Sequence, residues 1–381
     1  MLGKTNITAL PEGGIVTDVE DFSWVRMESG VHTDFVRCIC ENGYLAAITA
    51  DGVVAWTTDG EVWESVKLEY EECWLNDIDW DGGRFIIVGS YKRAVGETAL
   101  KDVLVIFTED FSAYEKAEYA MNSDARDDYE MHYVFPKNGR YLVVVGFYAR
   151  SSNVNYVKVM DTDFAGHGEF LPGIYSSTSN KSLKRNVYCA KNADGMLVYG
   201  VCQDSYGRDV AIYKVDGNVS RTAEAVSKAS VFQCKGTLYY MFLRAQENYG
   251  LNKVSDSGEV LTVCTGQDFS FVDGVYFDGC QVFINNHGLL VLRKGESIAD
   301  KTVDDLVEVA PEMTLNCIAK AFGRLYMFGS QGVVLRSGVE TDNGEVVAVQ
   351  TLSAKRALAE AKAYTDARIA ELAAACFPDG R

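Results

Sequence analysis

The residue types that could do chemistry are present but poorly clustered. Asp77, Asp79 and Asp81 stand in the string DIDWDG. Alternating carboxylates followed by glycine are how a calcium-binding loop begins. Its twelfth position requires a bidentate glutamate, and here that position is Val88. The same slot elsewhere reads ICENG and AKAFG, so the string is expected to be a strand-to-strand turn. Glycoside hydrolysis needs two placed carboxylates. With 54 Asp and Glu residues, pairs arise by chance, and none stands in a recognisable motif. Gripping a substrate carboxylate takes convergent arginines. Arg84, Arg140 and Arg324 each follow a glycine in equivalent segments, which puts them on separate structural units. The four histidines (His32, His132, His167 and His287) are scattered, and no GxSxG nucleophile motif occurs. No catalytic residue, cofactor or metal ligand is assigned.

Aromatic residues are the stronger candidates. All five tryptophans (Trp24, Trp56, Trp63, Trp74 and Trp80) fall within the first 80 residues. Exposed Trp and Tyr offer flat faces to sugar CH groups and concentrate at binding hot spots. Trp56 and Trp63 read as packing residues. Trp74, in the polar run EYEECWLND, is expected to be the most exposed. The candidate ligand-binding set is Trp74, Trp80, Tyr91, Tyr148 and Tyr175.

The elements that must position these residues come from a repeat. A glycine, an apolar strand, a polar tip, a second strand and an Asp/Gly/Ser turn recur in order. The repeated glycines are Gly43, Gly83, Gly139, Gly195, Gly236, Gly279 and Gly323, separated by 40, 56, 56, 41, 43 and 44 residues. Each unit is preceded by a short apolar strand, such as FVRCIC or LNDIDW. Each is followed by another, such as VWESVKL, LVEVA or EVVAVQT. Four strands in about 40–45 residues is the size of a propeller blade. One four-stranded sheet cannot cover both of its faces, whereas sheets stacked round an axis cover each other. The expected fold is therefore all-β: a seven-bladed β-propeller of four-stranded blades over residues 29–350, followed by a C-terminal α-helix. A pair of β-sandwiches is the alternative. The two long steps carry insertions at Ser90–Asp102, Ala149–Tyr156 and Gly173–Arg185, and loops on a rigid scaffold are where binding concentrates. Residues 1–28 are either an arm or a ring-closing strand. Because EVVAVQT can complete the last blade by itself, an arm or lid is preferred.

Composition narrows the partners. Lys and Arg total 36 against 54 acidic residues, a formal net charge of −18. Such a surface repels phosphate, so nucleic acid and anionic membrane faces are not expected partners. No run reaches 18 apolar residues, so no membrane insertion is expected, and the first 15 residues lack the apolar core of a signal peptide. The ten cysteines show no CxxC spacing and mostly sit in apolar runs such as VRCIC and LNCIA. They are expected to be reduced, buried thiols.

The first repeat contains Thr57-Thr58-Asp59-Gly60-Glu61-Val62-Trp63, which resembles a shortened Asp-box, the turn-and-Trp signature of sialidase-like propellers. Phe107-Thr108-Glu109-Asp110-Phe111-Ser112-Ala113-Tyr114 is a worn copy, and Asp163-Phe164 a remnant. Together with LNDIDWDGGRFIIVGS, the pattern resembles propeller repeats of bacteriophage and prophage tail proteins. That resemblance covers residues 35–120 well and the rest by pattern only. The later repeats lack the tryptophan, so a true sialidase repeat set is absent.

Composition changes at Thr351. LSAKRALAEAKAYTDARIAELAAACF is rich in helix formers, and Leu358, Ala361, Thr365, Ile369, Leu372 and Cys376 form one stripe. Residues 351–381 are expected to be an oligomerisation helix, and the string resembles the trimeric coiled-coil segments of phage fibres. The resemblance implies a non-enzymatic virion component, made in the bacterial host cytoplasm: a tail fibre or receptor-binding homotrimer. Its propeller loops would meet a host-surface glycan or protein receptor, or neighbouring tail proteins. The alternatives are a glycosidase on the same scaffold and an intracellular docking scaffold.

Overall fold

The computed structural model describes residues 24–347 apart from short stretches, and from 172 to 230 it describes backbone only. Residues 1–23 lie outside the described residues. So do 348–381, and with them the expected helix and its stripe of Leu358, Ala361, Thr365, Ile369, Leu372 and Cys376.

The protein is an all-β propeller of four-stranded blades. Among the described residues the strands form seven antiparallel sheets, six of them with four strands each. The first sheet holds Phe35–Glu41, Tyr44–Thr49, Val53–Thr57 and Glu64–Lys67. The second holds Cys73–Trp80, Phe85–Val95, Thr98–Thr108 and Glu115–Lys116. The third comprises Asp128–Lys137, Arg140–Ala149, Val154–Thr162 and Glu169–Thr178. The fourth comprises Asn186–Lys191, Leu197–Cys202, Arg208–Tyr213 and Val219–Thr222. The fifth runs through Val226–Cys234, Thr237–Arg244, Asn248–Val254 and Val260–Thr265. The sixth runs through Asp273–Phe277, Cys280–Ile284, Gly288–Leu292 and Val307–Glu308.

The seventh sheet departs from the expected four strands. Leu315–Ala321, Arg324–Gly329 and Val334–Ser337 are followed by Trp24–Met27 from the N-terminal end, and Glu345–Val347 lies outside it. The preferred arm or lid is thus corrected for Trp24–Met27. This strand pairs with Val334–Ser337 on one side and with Glu345–Val347 on the other. Burial explains the insertion, because Trp24 is buried in the core between the sixth and seventh sheets and Val25 is fully buried, and neither could be left exposed without cost.

The first strand of each sheet packs against the first strand of the next, and that of the seventh packs against that of the first. The core lies between sheets. One apolar cluster joins the first and second sheets through Ile48, Leu75, Phe85 and Phe111, and another joins the seventh and first through Phe328, Cys317, Phe35 and Leu45. Trp56 stacks on Phe111 at 5.5 Å, and Trp63 meets Phe328 edge-on at 5.8 Å, so both pack between sheets. Such aromatic pairs add roughly 0.5–1.5 kcal/mol beyond the area they bury.

The repeated Thr–Asp turns join the third and fourth strands. Thr57 Oγ1 accepts the Gly60 amide at 2.9 Å, while Asp59 Oδ1 accepts the amides of Glu61 and Val62. Thr108 accepts the Phe111 amide, and Asp110 accepts that of Ser112. Thr162 accepts the Phe164 amide, and Asp163 that of Ala165. Side-chain oxygens here satisfy turn amides that no strand can reach.

The first insertion is not a loop for most of its length, and Ala149 and Val154–Tyr156 of the second are strand. Ser90–Val95 and Thr98–Asp102 continue their strands as one long paired hairpin. In the third insertion, Gly173–Thr178 is strand, and the remainder lies outside the described residues.

Candidate functional site at the propeller axis and hairpin face

The strand directions give the propeller two unlike faces. The repeated glycines turn each first strand into its second on one face; the hairpins between second and third strands lie on the other. Trp74 pairs with Ser90 and Tyr91 with Cys73, at the hairpin end of the second sheet. Tyr148 pairs with Asp128 and Asn155, at the hairpin end of the third. Tyr175 pairs with Lys158 toward the same end, and its side chain lies outside the described residues. Four of the five aromatic candidates are thus brought to one face by register. Trp80 is not: it pairs with Phe85 beside the glycine turn, 4.6 Å from that ring, and packs on the core.

Trp74 is half-buried rather than exposed, as are Trp56, Trp63 and Trp80. Lys101 Nζ lies 4.3 Å from the Trp74 ring centre, and Lys116 Nζ lies 4.1 Å from that of Tyr91. One face of each ring is therefore covered by a cation. Lys101 also pairs with Glu130 at 3.4 Å, and Asn76 donates to the other oxygen of Glu130 at 3.2 Å. Burial would raise the Glu130 pKa. His132, Lys101 and the Asn76 bond outweigh it and hold the carboxyl below its ordinary range.

Below this rim the first strands place a polar girdle around the axis, which the sequence analysis did not find. Six residues before the repeated glycine stand Arg37, Asp77, Tyr133, Asp273 and Cys317 in the first, second, third, sixth and seventh sheets. Asp77 Oδ2 accepts the Val134 amide of the following sheet at 3.0 Å. Asp273 Oδ2 accepts the Ile318 amide of its following sheet, also at 3.0 Å. One residue earlier, Asn76 donates to the Met131 carbonyl at 2.8 Å and Asn316 to the Phe35 carbonyl at 2.7 Å. Each first strand has its channel edge unpaired by any other strand, and these side chains satisfy part of it. The signal was present as a fixed offset from each glycine, but its meaning depends on which sheets are neighbours.

Arg37 is the cation of the girdle. It lies 3.6 Å from Asp77 and 4.9 Å from the centre of the Tyr133 ring. Burial works against its charge, but Tyr133, Asp77 and Asp273 hold it protonated more firmly than usual. Burial pushes the Asp77 carboxyl up to about 7, against the pull of Arg37 and the Val134 amide. Asp273 is pushed up to about 6 by burial, against the Ile318 amide and Arg37.

The remaining polar groups of the sequence analysis have local partners. Asp81 accepts the amides of Gly83 and Arg84, making the expected turn, while Asp77 points to the axis, so DIDWDG does not converge. Among the described residues no group of three or more His, Cys, Asp or Glu side chains could hold a metal ion. Arg84 lies over the Phe107 ring, Arg140 pairs with Asp161, and Arg324 donates to the Ser337 carbonyl. They do not converge. Cys38, Cys40, Cys73, Cys234, Cys264, Cys280 and Cys317 are free thiols, three of them buried and four half-buried. No described helix is long and apolar enough to cross a membrane.

No family model matches the chain, and no curated protein does. Among solved structures it is similar to BamB from Moraxella catarrhalis, at 11% identity over 83% of this chain and 98% of that one, with a TM-score of 0.45. It is similar to the Bombyx mori GH32 beta-fructofuranosidase BmSUC1, at 11% identity over 88% and 92% of the two chains and a TM-score of 0.40. A third is the SapL1 lectin in complex with alpha methyl fucoside, at 9% identity over 71% and 98% and a TM-score of 0.40.

Proposed function

We propose that the chain is a non-catalytic binding module, a seven-bladed ring whose hairpin face receives a glycan or a protein surface. The observation that carries this reading is the placement of the insertions. The long hairpins of the second and third sheets, and the start of the third insertion, extend the same face as Trp74, Tyr91 and Tyr148. Both ends of the described chain, Trp24 and Val347, pair with one another on the opposite face. The hairpin face thus lies opposite both ends of the described residues. The resemblance of residues 35–120 to phage tail repeats supplies the setting: a virion component that meets a host-surface glycan or receptor, or a neighbouring tail protein. The apolar stripe from Leu358 to Cys376 supplies an oligomerisation element, with a homotrimer as its expected product.

Catalysis is the less favoured reading. The carboxylates with the most raised pKa, Asp77 and Asp273, each have an oxygen committed to a backbone amide of the next sheet. A glycan array probed with the full chain tests the proposal. Binding that falls at least tenfold in Trp74→Ala or Tyr148→Ala, with unchanged melting, is the expected result. Release of reducing sugar from bound glycans, lost in Asp77→Asn, would establish the glycosidase instead.

A further inference from the structure

The girdle geometry bears on two cysteines. Wherever an acid occupies the slot six residues before the glycine, its side chain reaches the residue five before the glycine in the following sheet. Asp77 reaches Val134, and Asp273 reaches Ile318. At the junction of the seventh and first sheets those two slots hold Cys317 and Cys38. The Asn316 bond to Phe35 shows that the same register holds across this junction. Cys317 belongs to the apolar cluster between these sheets and Cys38 packs against it, close enough for the two thiols to influence each other. Both are free thiols, 279 residues apart in sequence.

We propose that Cys38 and Cys317 form a disulfide that closes the propeller covalently at its first-to-last junction. The pair is a redox site, and its oxidant is a small peroxide. One thiolate attacks the peroxide O–O bond, giving a sulfenic acid and, after protonation, water. The second thiol then attacks the sulfenic sulfur; the S–S bond forms, the S–O bond breaks, and the thiol proton leaves with the hydroxyl as a second water. Two thiols are oxidised and one peroxide is reduced.

Junction position gives the bond its effect. The first and last sheets are otherwise held by non-covalent contacts, including the Trp24–Met27 strand, the Asn316 bond and the Ser29 hydroxyl on the Gly332 carbonyl. A link spanning most of the chain restricts the unfolded ensemble strongly. Burial, and after it the neighbouring Cys317 thiol, raise the Cys38 pKa, which keeps the thiolate scarce and the reaction slow. The device is therefore a lock set once, after the chain leaves a reducing compartment, and not a rapid switch. That timing rests on the virion reading; the bond does not.

The test uses the full chain, exposed to hydrogen peroxide under native conditions, then alkylated, digested and analysed by mass spectrometry. The expected result is a cross-linked peptide pair containing Cys38 and Cys317, and a loss of two free thiols. The thermal midpoint should rise by several degrees, reversibly with dithiothreitol. Cys317→Ser should abolish the cross-link and the shift, while Cys40→Ser leaves both. No Cys38–Cys317 peptide after exhaustive oxidation of the folded protein overturns the proposal. A cross-link that lowers the midpoint overturns the lock. Formation of the bond in a protein that binds no host surface would remove the virion reading alone.

Discussion

Asp273→Asn isolates the electrostatics of the girdle. The asparagine keeps the shape and an acceptor oxygen for the Ile318 amide, and it removes a charge that the fold resists. Burial pushes the folded-state pKa of Asp273 up to about 6 from an ordinary 3.8. A raised acid binds its proton more tightly folded than unfolded, so its contribution is complete below the unfolded pKa and is lost as pH rises through the folded pKa. Roughly two pKa units at 1.36 kcal/mol each set an upper bound of about 3 kcal/mol. Asp273 is half-buried, and solvent screening reduces the expected effect to about 1–2 kcal/mol. The variant should therefore be more stable than the parent at pH 8 and equal to it near pH 4. Arg37 keeps its nearer partner Asp77 in the variant, so no orphaned cation offsets the gain. Urea unfolding of both proteins at several pH values, followed by tryptophan fluorescence, measures the difference. A variant less stable at pH 8, or a difference independent of pH, would refute the argument.

Two further substitutions test how the sheets are joined. Asn316→Ala deprives the Phe35 carbonyl of its donor at the first-to-last junction and should cost about 1–3 kcal/mol in the same unfolding assay. Asn76→Ala, in the same slot between the second and third sheets, should cost a similar amount; a null effect for both would show that water replaces the bond. Gly60→Ala should be severe, because Gly60 has φ +79° and a Cβ there would overlap the Tyr326 hydroxyl. Gly43→Ala, with the same φ and open space, should lose only the left-handed penalty of about 1–2 kcal/mol, so equal melting temperatures would refute the steric argument.

The sequence by itself determined the local architecture. Glycines at near-regular spacing, each flanked by apolar strands, specified hairpins, and hairpins that must cover two faces specified a ring of sheets. The turn chemistry of Thr57 and Asp59, the packing of Trp56 and Trp63, and the separation of Arg84, Arg140 and Arg324 follow from side-chain type and slot. Tertiary structure decided everything that depends on which sheets meet. FSWVRM looks like any other short strand, and only the empty lane beside Val334–Ser337 makes it part of the last sheet. Trp74 stands in a polar run, yet Lys101 from two strands away covers its ring. Asp273, Asn76 and Asn316 look like ordinary polar residues, and Asp77 like part of a turn, until the next sheet supplies an amide or a carbonyl. Cys38 and Cys317 become neighbours only when the ring closes. Spacing encodes what a residue does within its own sheet; contacts across a junction arise from closure, which brings together residues that no local pattern relates.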